Sequence, residues 1–497
     1  SADKDAGAAF LKYKDFKPYV DYFNSMEDEN IAQAIPNARA SQWMEENIPL
    51  FECSQKNFEE MYYYRWWTLR KHIKETPVGY GMTEFLVNRS YADKYNLIAC
   101  AIGHHIYESR WLRNPEYLNK IIHTWYRGNE GGPMAKMTKF SSWNADAVLG
   151  RYMVDGNKEF LLDMVKDLEA EYARWEKTNR LSNGLYWQGD VQDGMEESIS
   201  GGRRKQYARP TINSYMYGNA KALSLIGIMT GDEGMAMKYG LKADSIKTLV
   251  QDKLWNTDHH FFETMRGDAS AEVREAIGYI PWYFNLPDAS SQYDVAWKEV
   301  MDEKGFSAPY GLTTAERRHP EFRTHGVGKC EWDGAIWPFA SAQTLTAMAN
   351  FMNNYPQTVL TDSVYFHQME RYVESQHHRG RPYIGEYLDE VTGYWLKGDQ
   401  ERSRYYNHST FNDLMITGLI GLRPRMDNTV EVNPLIPEGK WDYFCLDNVL
   451  YHGRNLTILW DKDGSRYQRG KGLHIYVDGK EVGHADTLTR VLCENVL

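Results

Sequence analysis

Five cysteines in 497 residues, none spaced Cys-x-x-Cys, exclude a disulfide framework and the usual zinc or redox motif. Cys53, Cys100, Cys330, Cys445 and Cys493 read as buried small hydrophobes, with one bridge, Cys445 to Cys493, left open. No apolar stretch approaches the ~18–20 residues of a membrane span. Nor is there a Gly-rich phosphate or dinucleotide loop, which speaks against kinases and dehydrogenases. Positive charge is also short: 68 acidic against 57 basic residues leave a net charge of −11, which argues against nucleic acid. The best basic run, Gly201-Gly202-Arg203-Arg204-Lys205, reads as a solvated loop. The pairs His104-His105, His259-His260 and His377-His378 would point about 100° apart on a helix, and no His-Glu-x-x-His occurs. Asp461-Lys462-Asp463-Gly464 starts like a calcium loop but lacks the rest and reads as a hairpin turn. No metal and no cofactor is expected.

Against these absences stand 16 Trp, 35 Tyr and 18 Phe. Aromatic faces serve sugar-binding clefts, but large helical cores use them too. A hydrophobic share of 42 % with 25 % charged residues is a globular balance and excludes wholesale disorder. The length fits about three domains of ~150 residues, or one large barrel with an appendage. The chain begins Ser1-Ala2-Asp3 without an apolar signal stretch, as a chain trimmed of its leader would. A periplasmic or secreted setting is expected.

From about Met61 to about Ile420 apolar positions recur with helical spacing. Ala222, Leu225, Ile226 and Met229 fall at i, i+3, i+4, i+7, and Tyr239, Ala243, Ile246 and Val250 follow beyond Gly231-Asp232. That spacing predicts an αα-hairpin with Gly231 closing its first helix. Close to a dozen such segments show no fixed period, as a solenoid would, so a closed double ring of helices is expected. After Arg425 the texture becomes short and β-branched: Asn428–Val432, Asn455–Trp460 and Leu473–Val477, with Asp478-Gly479 as a turn. The expected organisation is a lead segment over 1–57, a helical body over 58–425 and a small antiparallel sheet over 426–497.

Three clusters can carry chemistry. Trp187-Gln188-Gly189-Asp190-Val191-Gln192-Asp193-Gly194-Met195-Glu196-Glu197 gathers four carboxylates, an arrangement that shifts pKa values unless the groups are solvated or paired. A plain acidic turn before a helix N-terminus would also explain it. Trp332-Asp333-Gly334-Ala335-Ile336-Trp337-Pro338 sets an acid between tryptophans, where Asp333 could equally cap a helix. Glu386-Tyr387 through Thr392-Gly393-Tyr394-Trp395, followed by Arg404-Tyr405-Tyr406-Asn407-His408-Ser409, repeats the pattern of an acid among aromatics and turns.

Taken together, their order resembles the glycosidases of the trehalase, processing α-glucosidase I and mannosylglycerate hydrolase type. The resemblance covers about residues 60–425 and implies a mainly α fold, an (α/α)6 barrel with a small C-terminal antiparallel β domain. It implies Glu196 as general acid and Glu386 as general base of an inverting, exo-acting hydrolysis of a terminal, α-linked sugar. The family usually has Asp where Glu196 stands, which leaves Asp190 and Asp193 as rival acids. Asp190, Asp193 and Asp333 would suit sugar hydroxyls; Trp143, Trp187, Trp332 and Trp337 would suit sugar faces or the core. The expected partner is a carbohydrate. Rival readings are another enzyme on this barrel type (a β-L-arabinofuranosidase-like hydrolase, lyase, epimerase or phosphorylase) or a non-catalytic sugar-binding protein.

Overall fold

Six inner helical segments alternate along the chain with six outer ones. The computed structural model describes residues 10–497; Ser1-Ala2-Asp3 and the rest of the first nine positions lie outside the described residues. The peripheral segments are α1 (Lys56–Lys71), α3 (Glu116–Arg127), α5 (Val165–Asn179), α7 (Glu233–Leu249), α9 (Ser291–Asp294, continued by a 3-10 turn) and α11 (Asp362–Ser375). Between them run α2 (Ile102–Ser109), α4 (Asn144–Asp155), α6 (Pro210–Thr230), α8 (Ile280–Tyr283, after a 3-10 turn), α10 (Pro338–Asn354) and α12 (Asn412–Leu414, running into a π turn). Each of these inner segments packs on the next, and α12 returns to α2, so the inner ring is closed. This is an (α/α)6 barrel.

Local chemistry explains the boundaries. Pro210 opens α6, where its missing N–H has no helical partner to lose. Gly231 closes α6 with φ +74°, a left-handed conformation that favours glycine, and the Asp232 side chain then caps α7 through the Met235 amide. Ala222, Ile226, Tyr239, Ala243, Ile246 and Val250 are all buried, so the expected hairpin is present. Where the two helices come closest, Gly227 lies against the backbone of Ala236.

The barrel axis is plugged by aromatic rings. Trp143 packs on His104, Tyr215 and Tyr283 with centroids 4.9, 5.0 and 5.4 Å away, and its Nε1 donates to the Tyr283 hydroxyl. Its ring covers Gly103, which leaves no room for a Cβ there. Such ring pairs contribute ~0.5–1.5 kcal/mol each beyond burial.

The strands are β1 (Leu50–Cys53), β2 (Leu422–Arg423), β3 (Val430–Val432), β4 (Tyr443–Tyr451), β5 (Arg454–Asp461), β6 (Gly472–Val477), β7 (Lys480–Ala485) and β8 (Val491–Cys493). They form a five-stranded antiparallel sheet, β1-β4-β5-β6-β7, and a three-stranded one, β2-β3-β8. The lead segment thus supplies the sheet's first strand, and the Asp447 carboxylate of β4 accepts from the amides of Phe10 and Leu11. Asp478 and Gly479, both with positive φ, make the tight turn between β6 and β7. Asp461 binds the amides of Gly464 and Tyr467 with its two oxygens, so the 461–464 stretch is a strand-to-strand turn.

The Cys445–Cys493 bridge does not form. Cys445 lies in the middle of the five-stranded sheet opposite Glu52 and Leu459, whereas Cys493 sits in the other sheet opposite Val430, against Gly483; all five thiols are free. Among the described residues no helix is long and apolar enough to cross a membrane.

Candidate active site

A cavity of about 440 Å³ opens at the N-terminal end of α10. Trp337 and Phe339 come from that helix start, Gly194 and Glu196 from the loop before α6, and Glu386, Tyr406 and His408 from the segment before α12. Glu196 and Glu386, far apart in sequence, therefore line one space. A third carboxyl, Glu84, lines it too.

The loop that carries Glu196 is held from behind. Met195 donates its amide to the Asp190 carbonyl, and Gly194 takes φ +73° to reverse the chain beside Cys100. Asp193 is buried and fully engaged: Arg209 Nε donates at 2.7 Å, the Thr211 hydroxyl at 2.6 Å, and the Ser141 hydroxyl also donates. Asp190 is buried next to Ser198, and burial pushes its carboxyl up. Neither aspartate lines the cavity. Glu197 turns away with φ +67° toward Arg203 and Lys329 at 4.0 and 3.9 Å. The next helix begins only at Pro210, so these acids do not serve its N-terminus.

Burial dominates the electrostatics of Glu196 and Glu84. Burial pushes Glu196 up to about 7; the charges of Glu386, Glu84 and Asp190 push the same way, while its own backbone amide opposes. Glu84, wholly buried, is also pushed up to about 7, against the hydrogen bonds it accepts from the Tyr406 hydroxyl and Cys100 Sγ. Glu386 Oε1 is buried without a hydrogen-bond partner, and the Lys397 ammonium stands 3.5 Å from it. His408, buried among Trp337, Phe339 and Tyr406, is held neutral by burial.

The aromatic residues divide. Trp337 forms a cavity wall and stacks between Trp332 (4.7 Å) and Tyr387 (4.5 Å), with Lys397 over the Tyr387 ring. Trp332 is the buried back of that stack, Trp143 belongs to the core plug, and Trp187 is half-buried elsewhere. Asp333 neither lines the cavity nor caps α10, which starts at Pro338. Its carboxylate instead accepts from the amides of His325 and Gly326. We expect Trp337→Ala to raise KM more than it lowers kcat, because it removes a wall and leaves the carboxyls in place. Steady-state kinetics on any turned-over glycoside checks this.

Glu84, Arg89, Cys100, Lys139, Phe140 and Arg402 had no motif to announce them; Arg203 belongs to the basic run read as a solvated loop, and Tyr406 and His408 fall in a stretch already singled out beside Glu386. The histidine pairs sit elsewhere in the fold: His104 and His105 bind the carbonyls of Phe339 and Asn407 and are held neutral by burial, and His378 faces Asp399. Among the described residues one group has donors close enough to share an ion, namely His259, Glu263 and Glu272. There His259 already uses one ring nitrogen on each carboxylate, at 2.7 and 3.1 Å. A further cavity of about 450 Å³ lies at the other end of α10, by Thr346 and Asn350. Asp413 and Glu431 are tied there to Arg110 and Arg425, and Asp146, pushed up to about 7 by burial, accepts from Tyr107.

Residues 94–409 match the family of the mannosylglycerate hydrolase MGH1-like glycoside hydrolase domain. The chain belongs to this family. The matched stretch is a glycoside hydrolase domain. Residues 422–484 match the C-terminal domain of glycosyl hydrolase family 65, which places β2 to β7 in that second match. A solved structure named Sialidase is 83% identical with a TM-score of 0.99; the match covers 100% of this chain and 46% of that one, so this chain spans less than half of that protein's length. The GH63 mannosylglycerate hydrolase from Thermus thermophilus, in complex with glucose, has a TM-score of 0.53 at 11% identity, covering 72% of this MGH1-like chain and 99% of its own. The GH78 family rhamnosidase of a Bacillus species has a TM-score of 0.55 at 11% identity, covering 83% and 40%. These two distant likenesses bear on the fold alone.

Proposed function

We propose that this glycosidase removes a terminal, α-linked sugar with inversion, using Glu196 as the acid and Glu386 as the base. The observation that carries this reading is the single cavity shared by the two side chains, with the Glu386 charge among the causes that lift Glu196 to about 7. A carboxyl held near neutrality can donate a proton to a leaving oxygen. Glu386 lines the same cavity and is the carboxylate left to take a proton from water. In the step proposed, the Glu196 proton passes to the glycosidic oxygen, the C1–O bond breaks with its electron pair going to that oxygen, and water attacks C1 from the opposite face. The water's proton goes to Glu386. Inverting enzymes set the two carboxyls ~6.5–9.5 Å apart to leave room for that water. The closed aromatic plug beneath the cavity favours a chain end over a through-running polymer, which supports exo action.

Two measurements test this reading. Proton NMR of the first product should show the anomer opposite to the substrate's; retained configuration would replace the water by an enzyme nucleophile. The pH profile gives a second readout. Glu196 is protonated below about 7, so kcat/KM for an unactivated glycoside should fall as pH rises through that value. A rate that keeps rising through pH 8 would remove Glu196 from the acid role.

A further inference from the structure

We infer that the substrate carries an anionic group, a carboxylate or a sulfate, on a sugar next to the bond that is cut. The inference rests on the glycosidase reading of the same cavity and adds its substrate class. The chain as a whole has a net charge of −11, yet the residues at the cavity mouth include Arg89, Lys139, Arg203 and Arg402. Three of these cations, Arg89, Lys139 and Arg402, are held in place without being neutralised. Arg89 lies over the rings of Phe85 and Tyr91 (5.2 and 5.6 Å), and its Nε is buried with no hydrogen-bond partner. Lys139 lies over Tyr91 and Phe140 (5.7 and 5.5 Å) and donates to the Tyr91 carbonyl. Arg402 donates Nε to the Gln400 amide oxygen. Among the described residues none of the three has a carboxylate within ion-pair distance, and Arg203 has only Glu197 at 4.0 Å.

Of the carboxyls below, Glu84 and Glu196 are both pushed up to about 7 by burial, and Glu386 already has the Lys397 ammonium 3.5 Å away. Unpaired cations clustered on an acidic protein are an electrostatic attractor for an anion. Aromatic bracing fixes the Arg89 guanidinium beforehand, so less side-chain entropy is lost when it takes a carboxylate or sulfate through its planar fork. A neutral glycan would leave this cluster without a partner.

The test is binding to the full chain, measured calorimetrically, of trisaccharides ending in galacturonate or glucuronate, their carboxyl-reduced neutral counterparts, and the same neutral sugars carrying one sulfate. We expect an anionic form to bind at least about tenfold more tightly than its neutral counterpart at low salt, with the difference shrinking at ~0.2 M salt. Preference for the uronates identifies a carboxylate; preference for the sulfated sugars alone identifies a sulfate. The Arg89→Gln, Arg402→Gln double variant should lose the preference while keeping the wild-type melting temperature. Equal affinity for neutral and anionic forms, including none for any of them, overturns the inference, as does a preference that survives in the double variant. Because the readout is binding, a failure of hydrolysis would count against the two-carboxylate mechanism alone.

Discussion

Replacing Glu196 or Glu386 with Gln is expected to lower turnover by about 10²–10⁴-fold each, the usual contribution of one general acid or base. The two losses should differ in kind. An activated glycoside, such as a dinitrophenyl one, leaves without needing a proton, so Glu196→Gln should recover much of its rate on that substrate. Glu386→Gln should not, because water still has to be deprotonated. The fold should survive both changes. Folded Glu196 titrates near 7 against about 4.5 for an unconstrained glutamate, so the wild-type protein loses stability as pH rises from about 4.5 to about 7. Glutamine has no charge to bury. The melting temperature of Glu196→Gln should therefore gain on the wild type across that window and hold the gain above it. Near-normal activity of both purified variants would refute the assignment.

Removing the cation behind the acid loop should be the most damaging structural change. Arg209 and Asp193 are both fully buried, and Thr211 and Ser141 complete the carboxylate's partners. Arg209→Met would leave Asp193 charged, dry and without its counter-ion, which is expected to cost ~3–5 kcal/mol. The charges of Glu275 and Asp190 also act on Arg209, so more than one buried acid loses a partner. Urea denaturation should show an earlier midpoint at an unchanged slope, the pattern of lost stability without altered compactness. A shift worth less than ~1 kcal/mol would mean that water reaches Asp193 and that the pair does not anchor the loop.

The helical architecture was legible because amphipathic spacing and turn chemistry agree locally. Ala222, Ile226, Tyr239 and Ala243 announce the α6–α7 hairpin, and Gly231 marks its bend. The pairing of β1 with β4 was not legible: it joins Leu50–Cys53 to a strand hundreds of residues later, and periodicity carries no long-range information. Within the site, the two glutamates came from motif order, and the structure brings both to one cavity. The aspartates were harder to sort by sequence. Asp190, Asp193 and Asp333 have the composition of sugar ligands, yet the three are buried behind the cavity, where they hold loops through Ser198, Arg209 and the His325–Gly326 amides. A carboxylate that binds backbone reads in sequence like one that binds substrate. Glu84 was missed for the opposite reason: it stands alone in Thr83-Glu84-Phe85, and only folding brings it to Tyr406 and Cys100.

The cleanest test needs no substrate. With glutamate carboxyls labelled by carbon-13, the Glu196 signal can be assigned by its loss in Glu196→Gln and followed by NMR against pH in the wild type and in Glu386→Gln. It should titrate near 7 in the wild type and at a lower pH in Glu386→Gln, since the Glu386 charge is one of the causes holding its proton on. A signal that titrates in the ordinary carboxylate range, or one unmoved by the loss of Glu386, would mean that the two side chains do not work across one cavity.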